Sequence, residues 1–148
     1  MNERVSELQN ILGNSLVAAY SSFDWSTIRL FYGKVGQIAE GTSECVDMNG
    51  DVRYASLPKE ARRALELLKV ASATEDHGAW LSVTVTIVRE TGQFNIQYNF
   101  DEKPSWDIEP HPESYLLDLE RYPRPADEIP DWYPKPEDYP NWREELNH

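Results

Sequence analysis

At 148 residues the chain lies in the ordinary range of one domain, and 40% hydrophobic with 27% charged residues is a globular composition, not that of a wholly disordered chain. A formal net charge of −12 argues against nucleic acid or an anionic membrane surface as a direct ligand, because phosphates are bound by basic patches. A single cysteine, Cys45, excludes an internal disulfide and fits a reducing compartment.

The N-terminal stretch MNERVSELQN carries charges before any apolar run and does not read as a signal peptide. No later apolar run approaches the roughly 18 residues of a membrane span, so a cytoplasmic protein is expected. Val5, Leu8, Ile11, Leu12, Leu16 and Ala19 recur at helical spacing and predict an amphipathic first helix, interrupted by Gly13 and Asn14. From Trp25 the period becomes two, with Ile28, Leu30 and Tyr32 alternating with Thr27, Arg29 and Phe31, which predicts a strand. A second strand is expected over about Val35 to Glu44. Asn49-Gly50 then predicts a hairpin joining a strand near Glu44–Met48 to one near Asp51–Ala55.

Ser56 is placed to cap a helix with Pro58 in its first turn and Ala61, Leu65, Leu68 and Ala71 as its buried stripe. Two further strands follow. Leu81, Val83, Val85 and Ile87 alternate with polar residues, as do Phe94, Ile96, Tyr98 and Phe100, and Glu90-Thr91-Gly92-Gln93 joins them as an antiparallel hairpin.

Residues 101–148 differ in kind. They hold nine of the ten prolines and seven aromatic residues, with 14 Asp/Glu against 5 Lys/Arg, whereas residues 1–100 hold 12 against 9. Proline removes backbone donors and limits regular structure to one short helix over about Glu113 to Glu120, while the aromatics argue against a disordered tail. An extended segment packed back on the domain is expected, fraying near Asn147-His148. The expected whole is one α+β domain over 1–148. Residues 1–100 form its core, an antiparallel sheet of four to six strands with two main helices, and 101–148 form the proline-rich extension.

Sites for chemistry are weakly indicated. His77, His111 and His148 are isolated, and none stands at metal-ligand spacing from Cys45. Asp47-Met48-Asn49-Gly50-Asp51 has its glycine at the fourth position of a calcium loop rather than the sixth, so the hairpin reading is preferred. Nucleophile elbows and phosphate loops are absent from the sequence. Acidic neighbours such as Asp101-Glu102, Asp127-Glu128 and Glu137-Asp138 leave a hydrolase as a lesser alternative, since 26 acidic residues produce such pairs on any solvated surface. No cofactor, metal or small-molecule ligand is expected, and no enzymatic activity. Carboxylates beside tryptophans, as at Trp106-Asp107 and Asp131-Trp132, suit a protein interface with a basic partner. Trp132 and Tyr133 are read first as core residues, and the acidic residues beside them as the better interface candidates.

The stretch Tyr98-Asn99-Phe100-Asp101-Glu102-Lys103-Pro104, then Tyr115-Leu116-Leu117-Asp118-Leu119, Tyr122-Pro123-Arg124 and Ile129-Pro130-Asp131-Trp132, resembles the YezG-like immunity proteins of bacterial polymorphic toxin systems. The likeness covers residues 94–133. It implies an α+β antidote to a toxin domain, often a nuclease, whose basic substrate cleft an acidic inhibitor would match. The partner-binding candidates are Asp101, Glu102, Trp106, Asp107, Asp118, Asp127, Glu128 and Asp131. Within the family pattern Asp101, Asp118, Arg124 and Trp132 read equally well as structural residues. An adaptor or chaperone for a basic protein is the alternative of the same class.

Overall fold

The computed structural model describes residues 2–146. Along the chain lie α1 (Glu3–Ala19), β1 (Trp25–Val35), β2 (Ile38–Asp47), β3 (Val52–Tyr54), α2 (Lys59–Ser72), β4 (Ser82–Val88), β5 (Gln93–Asn99), α3 (Pro112–Arg121) and the short α4 (Trp142–Glu145). The strands form one antiparallel sheet in the order β3-β2-β1-β4-β5, so the fold is α+β with five strands and two long helices, α1 and α2. Among the described residues no helix is long and apolar enough to cross a membrane. The fraying expected near Asn147-His148 falls outside the described residues, as does His148 itself.

Contacts divide the chain into two compact units: residues 1–32, 41–72 and 83–98 in the first, and 33–40, 73–82 and 99–148 in the second. The expected boundary at residue 100 is therefore only part of the division. The proline-rich segment carries too few aliphatic residues for a core of its own, and it draws Val35 and Leu81 from earlier in the chain into its apolar cluster.

In the first unit the two periodicities meet. Leu8, Leu12 and Leu16 of α1 and Ala61, Leu65 and Leu68 of α2 are buried, together with Ile28, Leu30 and Tyr32 of β1 and Val83, Val85 and Ile87 of β4. The α1 helix runs through Gly13 without a break. A Cβ there would stand 3.1 Å from Cε2 of Phe94, so the glycine admits the ring of a β5 residue and does not end the helix. The α2 helix begins at Lys59, later than a Ser56 cap implies, and the Pro58 carbonyl accepts from the Arg62 amide at 3.0 Å. Lys69 is fully buried beside Leu65 and Leu68, a position that hydrophobic periodicity does not mark.

The strands expected at 35–44 and 44–48 are one continuous strand, β2, because the reversal falls at Gly36-Gln37 and not within it. The Asn49-Gly50 hairpin is present, with Glu44 opposite Tyr54, Cys45 opposite Arg53 and Val46 opposite Val52. Gly50 takes a φ of +87°, and the Asp47 carboxylate accepts from the Asn49 and Asp51 amides, both at 2.9 Å, and from Arg53 Nε at 3.2 Å. These donors, the Asp51 amide foremost, hold the Asp47 carboxyl below the ordinary aspartate value. A lowered folded value stabilises the hairpin above the unfolded pKa of about 3.9, and the effect is lost as pH falls through the folded value. Asp47→Ala should therefore lower the urea midpoint at neutral pH, and the gap from the parent chain should narrow below about pH 3.9. Parallel urea titrations at the two pH values check this; a gap unchanged in acid would contradict it.

Candidate functional site

The second unit is organised around a cluster of aromatic residues. Tyr115, from α3, meets Trp132 and Tyr133 edge-on, each with ring centroids 5.5 Å apart, and Trp132 and Tyr133 lie 5.2 Å apart. Polar tips close the cluster: Trp106 Nε1 donates to the Tyr115 hydroxyl at 2.9 Å, Tyr133 Oη donates to the Tyr115 carbonyl at 2.7 Å, and Trp132 Nε1 donates to the Asp101 carbonyl at 2.8 Å. Burial pushes the Tyr115 phenol up to about 12 and raises that of Tyr133 as well, so both stay protonated, Tyr133 as a donor and Tyr115 as an acceptor.

Arg124 joins the segments. Its side chain is 3% exposed, and its guanidinium donates to the carbonyls of Ala79, Phe100 and Glu128 and to the Asp101 carboxylate at 3.2 Å. The planar fork suits this, since each nitrogen can serve two acceptors held at fixed angles. Gly78, at a φ of +67°, leaves room for the Arg124 stem, which would stand 2.8 Å from a Cβ there.

The eight sequence candidates separate by exposure. Asp101, Glu102, Asp107, Asp127 and Asp131 are exposed, and Glu128 is half-buried with a carboxylate oxygen 3.7 Å from His77 Nδ1. Trp106 is half-buried within the aromatic cluster, its ring lying where a Gly33 Cβ would stand at 2.8 Å. Asp118 is 4% exposed, and its Oδ1 accepts from the Gly36 amide at 3.0 Å. As a surface contact for a partner, Asp118 is corrected: it is an internal acceptor holding a turn. Spacing signals this, because Asp118 follows the buried Tyr115 by three residues and lies beside Leu119 on the inner helical face.

Two features escape the sequence reading. The Glu40 carboxylate accepts from the Asp107 amide at 3.0 and 3.2 Å and from the Ile108 amide at 3.3 Å, so a distant glutamate anchors the 107–109 loop. On that loop Ile108 is 81% exposed between Asp107 and Glu109. A single exposed apolar side chain is ordinary on a protein surface, and what sets this one apart is its place between two acids. No local signal marks Glu40, but an isoleucine between two acids in a proline-rich loop is a pattern that could have been singled out.

Charge follows the division into units. The first unit carries 9 Asp/Glu and 8 Lys/Arg, and the second carries 17 and 6, with Glu40, Glu75 and Asp76 adding to the acids of the C-terminal segment.

A cleft of about 250 Å³ within the second unit is lined by Pro110, Pro112, Tyr115, Trp132 and Tyr139, with Lys103 and Glu109 ion-paired across 3.2 Å at its rim. Among the described residues no three of His, Cys, Asp and Glu stand together as a metal site. Cys45 is buried in the first unit, and burial raises its thiol above the ordinary value, which keeps it protonated. No protein-family model matches the chain, and no curated protein matches it.

Proposed function

We propose that this chain is an immunity protein of the YezG-like kind, acting in the cytoplasm as a stoichiometric inhibitor of a basic toxin domain, a nuclease by preference. The observation that carries the reading is the segregation of charge: the second unit holds 17 acidic against 6 basic residues while the first is nearly balanced. A solubility role for acidic residues does not require them to gather in one unit. Steering of a basic partner does, because opposite fields raise the rate of encounter and fix its orientation.

The exposed carboxylates of Asp107, Asp127 and Asp131 supply the field, and Ile108 supplies an apolar contact to be buried within it. The Trp106 and Trp132 rings belong to the support beneath the surface. The arrangement suits binding, with anchored loops carrying charge outside and aromatic packing inside.

The test is association with the product of the adjacent upstream gene, whose C-terminal domain this reading expects to be the toxin, followed by stopped-flow at several salt concentrations. The association rate should fall steeply with salt. Asp107→Asn/Asp127→Asn/Asp131→Asn should slow it by roughly tenfold at low salt, while Ile108→Ala should mainly speed dissociation. A rate indifferent to both salt and the triple substitution would remove the acidic unit from recognition.

A further inference from the structure

The outer edge of the sheet carries a second surface, independent of the functional reading above. β5 stands at the end of the strand order, so among the described residues no strand lies along its outer side. Its seven residues, Gln93–Asn99, include no charge and no proline, in a chain that is 27% charged. Edge strands are ordinarily blunted by lysine, proline, a bulge or shortness, because a row of open amides and carbonyls templates further pairing. The opposite edge is blunted in this way: β3 spans only Val52–Tyr54 and carries Arg53 at its centre.

We propose that β5 pairs antiparallel with β5 of a second copy of this chain, about a two-fold axis at Ile96, joining two sheets into one. The sequence of the strand is self-complementary about that axis. With Ile96 opposite its own copy, Phe94 faces Tyr98, Asn95 faces Gln97 and Gln93 faces Asn99. Apolar meets apolar, aromatic meets aromatic and the exposed amides of Asn95 and Gln97 meet one another, the pairings that stabilise adjacent strands, and no charge is set against its like; the Asn99 amide is already held by Ser82 Oγ and the Glu102 backbone.

Backbone direction agrees with this register. The Asn99 carbonyl accepts from the Leu81 amide at 2.7 Å and so points away from the outer edge. The two-residue alternation of an antiparallel ladder then turns the backbone groups of Ile96 and Phe94 outward, as a bonded pair of Ile96 residues requires. The strand is also held in place from behind: the Phe94 ring sits over Gly13 of α1, and Gln9 Nε2 donates to Tyr98 Oη at 2.8 Å. Charge does not oppose a like copy along this strand. Residues 93–98 belong to the unit with 9 acidic and 8 basic residues, so most of the pairing strand lies in the nearly neutral unit.

Sedimentation of the intact chain across micromolar concentrations tests the proposal. The parent chain should pass from monomer to dimer, and added salt should favour the dimer by screening the repulsion between two acidic molecules. Asn95→Lys/Gln97→Lys, on the exposed face, sets lysine against lysine twice and should weaken the dimer roughly tenfold. Asn95→Asp/Gln97→Lys sets opposite charges together in the same register and should restore it. Unchanged circular dichroism and urea midpoints would show that each variant folds. A parent chain that stays monomeric, or a dimer indifferent to the two charge patterns, overturns the proposal. Loss of toxin binding by the double-lysine variant of a monomeric parent would do the same, assigning the edge to the toxin.

Discussion

Arg124→Ala should cost the second unit roughly 3–5 kcal/mol, the largest loss expected of any single side chain outside the apolar core. The guanidinium serves the carbonyls of Ala79, Phe100 and Glu128 from a position only 3% exposed, and truncation leaves these acceptors without their donor. Arg124→Lys should recover only part of the loss, because one ammonium cannot reproduce a planar fork spread over segments from three parts of the chain. The ion pair to Asp101 contributes little by comparison. Its carboxylate is 69% exposed, and Asp101→Asn should change stability by less than about 1 kcal/mol. Urea unfolding followed by tryptophan fluorescence, to which four of the five tryptophans contribute from the second unit, separates the cases. Equal effects of the Arg124 and Asp101 substitutions would show that the surface ion pair, not the carbonyl clamp, holds the segments.

The second large effect concerns the turn at Gly36. Its φ is +57°, and a Cβ there would stand 2.6 Å from the Ser114 carbonyl oxygen, a backbone atom with no side chain's freedom to yield. Gly36→Ala should therefore cost roughly 2–5 kcal/mol, combining left-handed strain with displacement of α3. Asp118→Ala should cost about 1–3 kcal/mol by stripping the buried Gly36 amide of its acceptor. The two losses should be less than additive, because a turn already displaced by the first has little left for the second to break. Strict additivity in a double-mutant cycle would mean that Asp118 does not act through this turn.

Where a residue's fate depends on near neighbours, the sequence was legible. Alternation over Val83, Val85 and Ile87 placed β4, four-residue spacing of Leu8, Leu12 and Leu16 placed α1, and Asn49-Gly50 placed the hairpin. Errors arose where distant partners decide. Gly13 reads as a helix breaker until Phe94, brought beside it by β5, explains the missing side chain. Asp118 reads as a surface acid although its partner, Gly36, lies 82 residues away. Glu40 carries no mark at all of its bond to the Asp107 and Ile108 amides. Within the candidate surface, composition alone showed that acids gather late in the chain. Only the fold shows that Asp107, Asp127 and Asp131 remain exposed while Asp118 turns inward.

Growth of cells that express the C-terminal domain of the adjacent upstream gene's product, the expected toxin, with and without this chain, bears most directly on the proposed immunity. Survival restored by the parent chain, and impaired by Asp107→Asn/Asp127→Asn/Asp131→Asn at equal protein level, is the expected result. Continued killing in the presence of the folded parent chain would contradict the immunity function. Full protection by the triple variant would leave immunity standing and take these three carboxylates out of it.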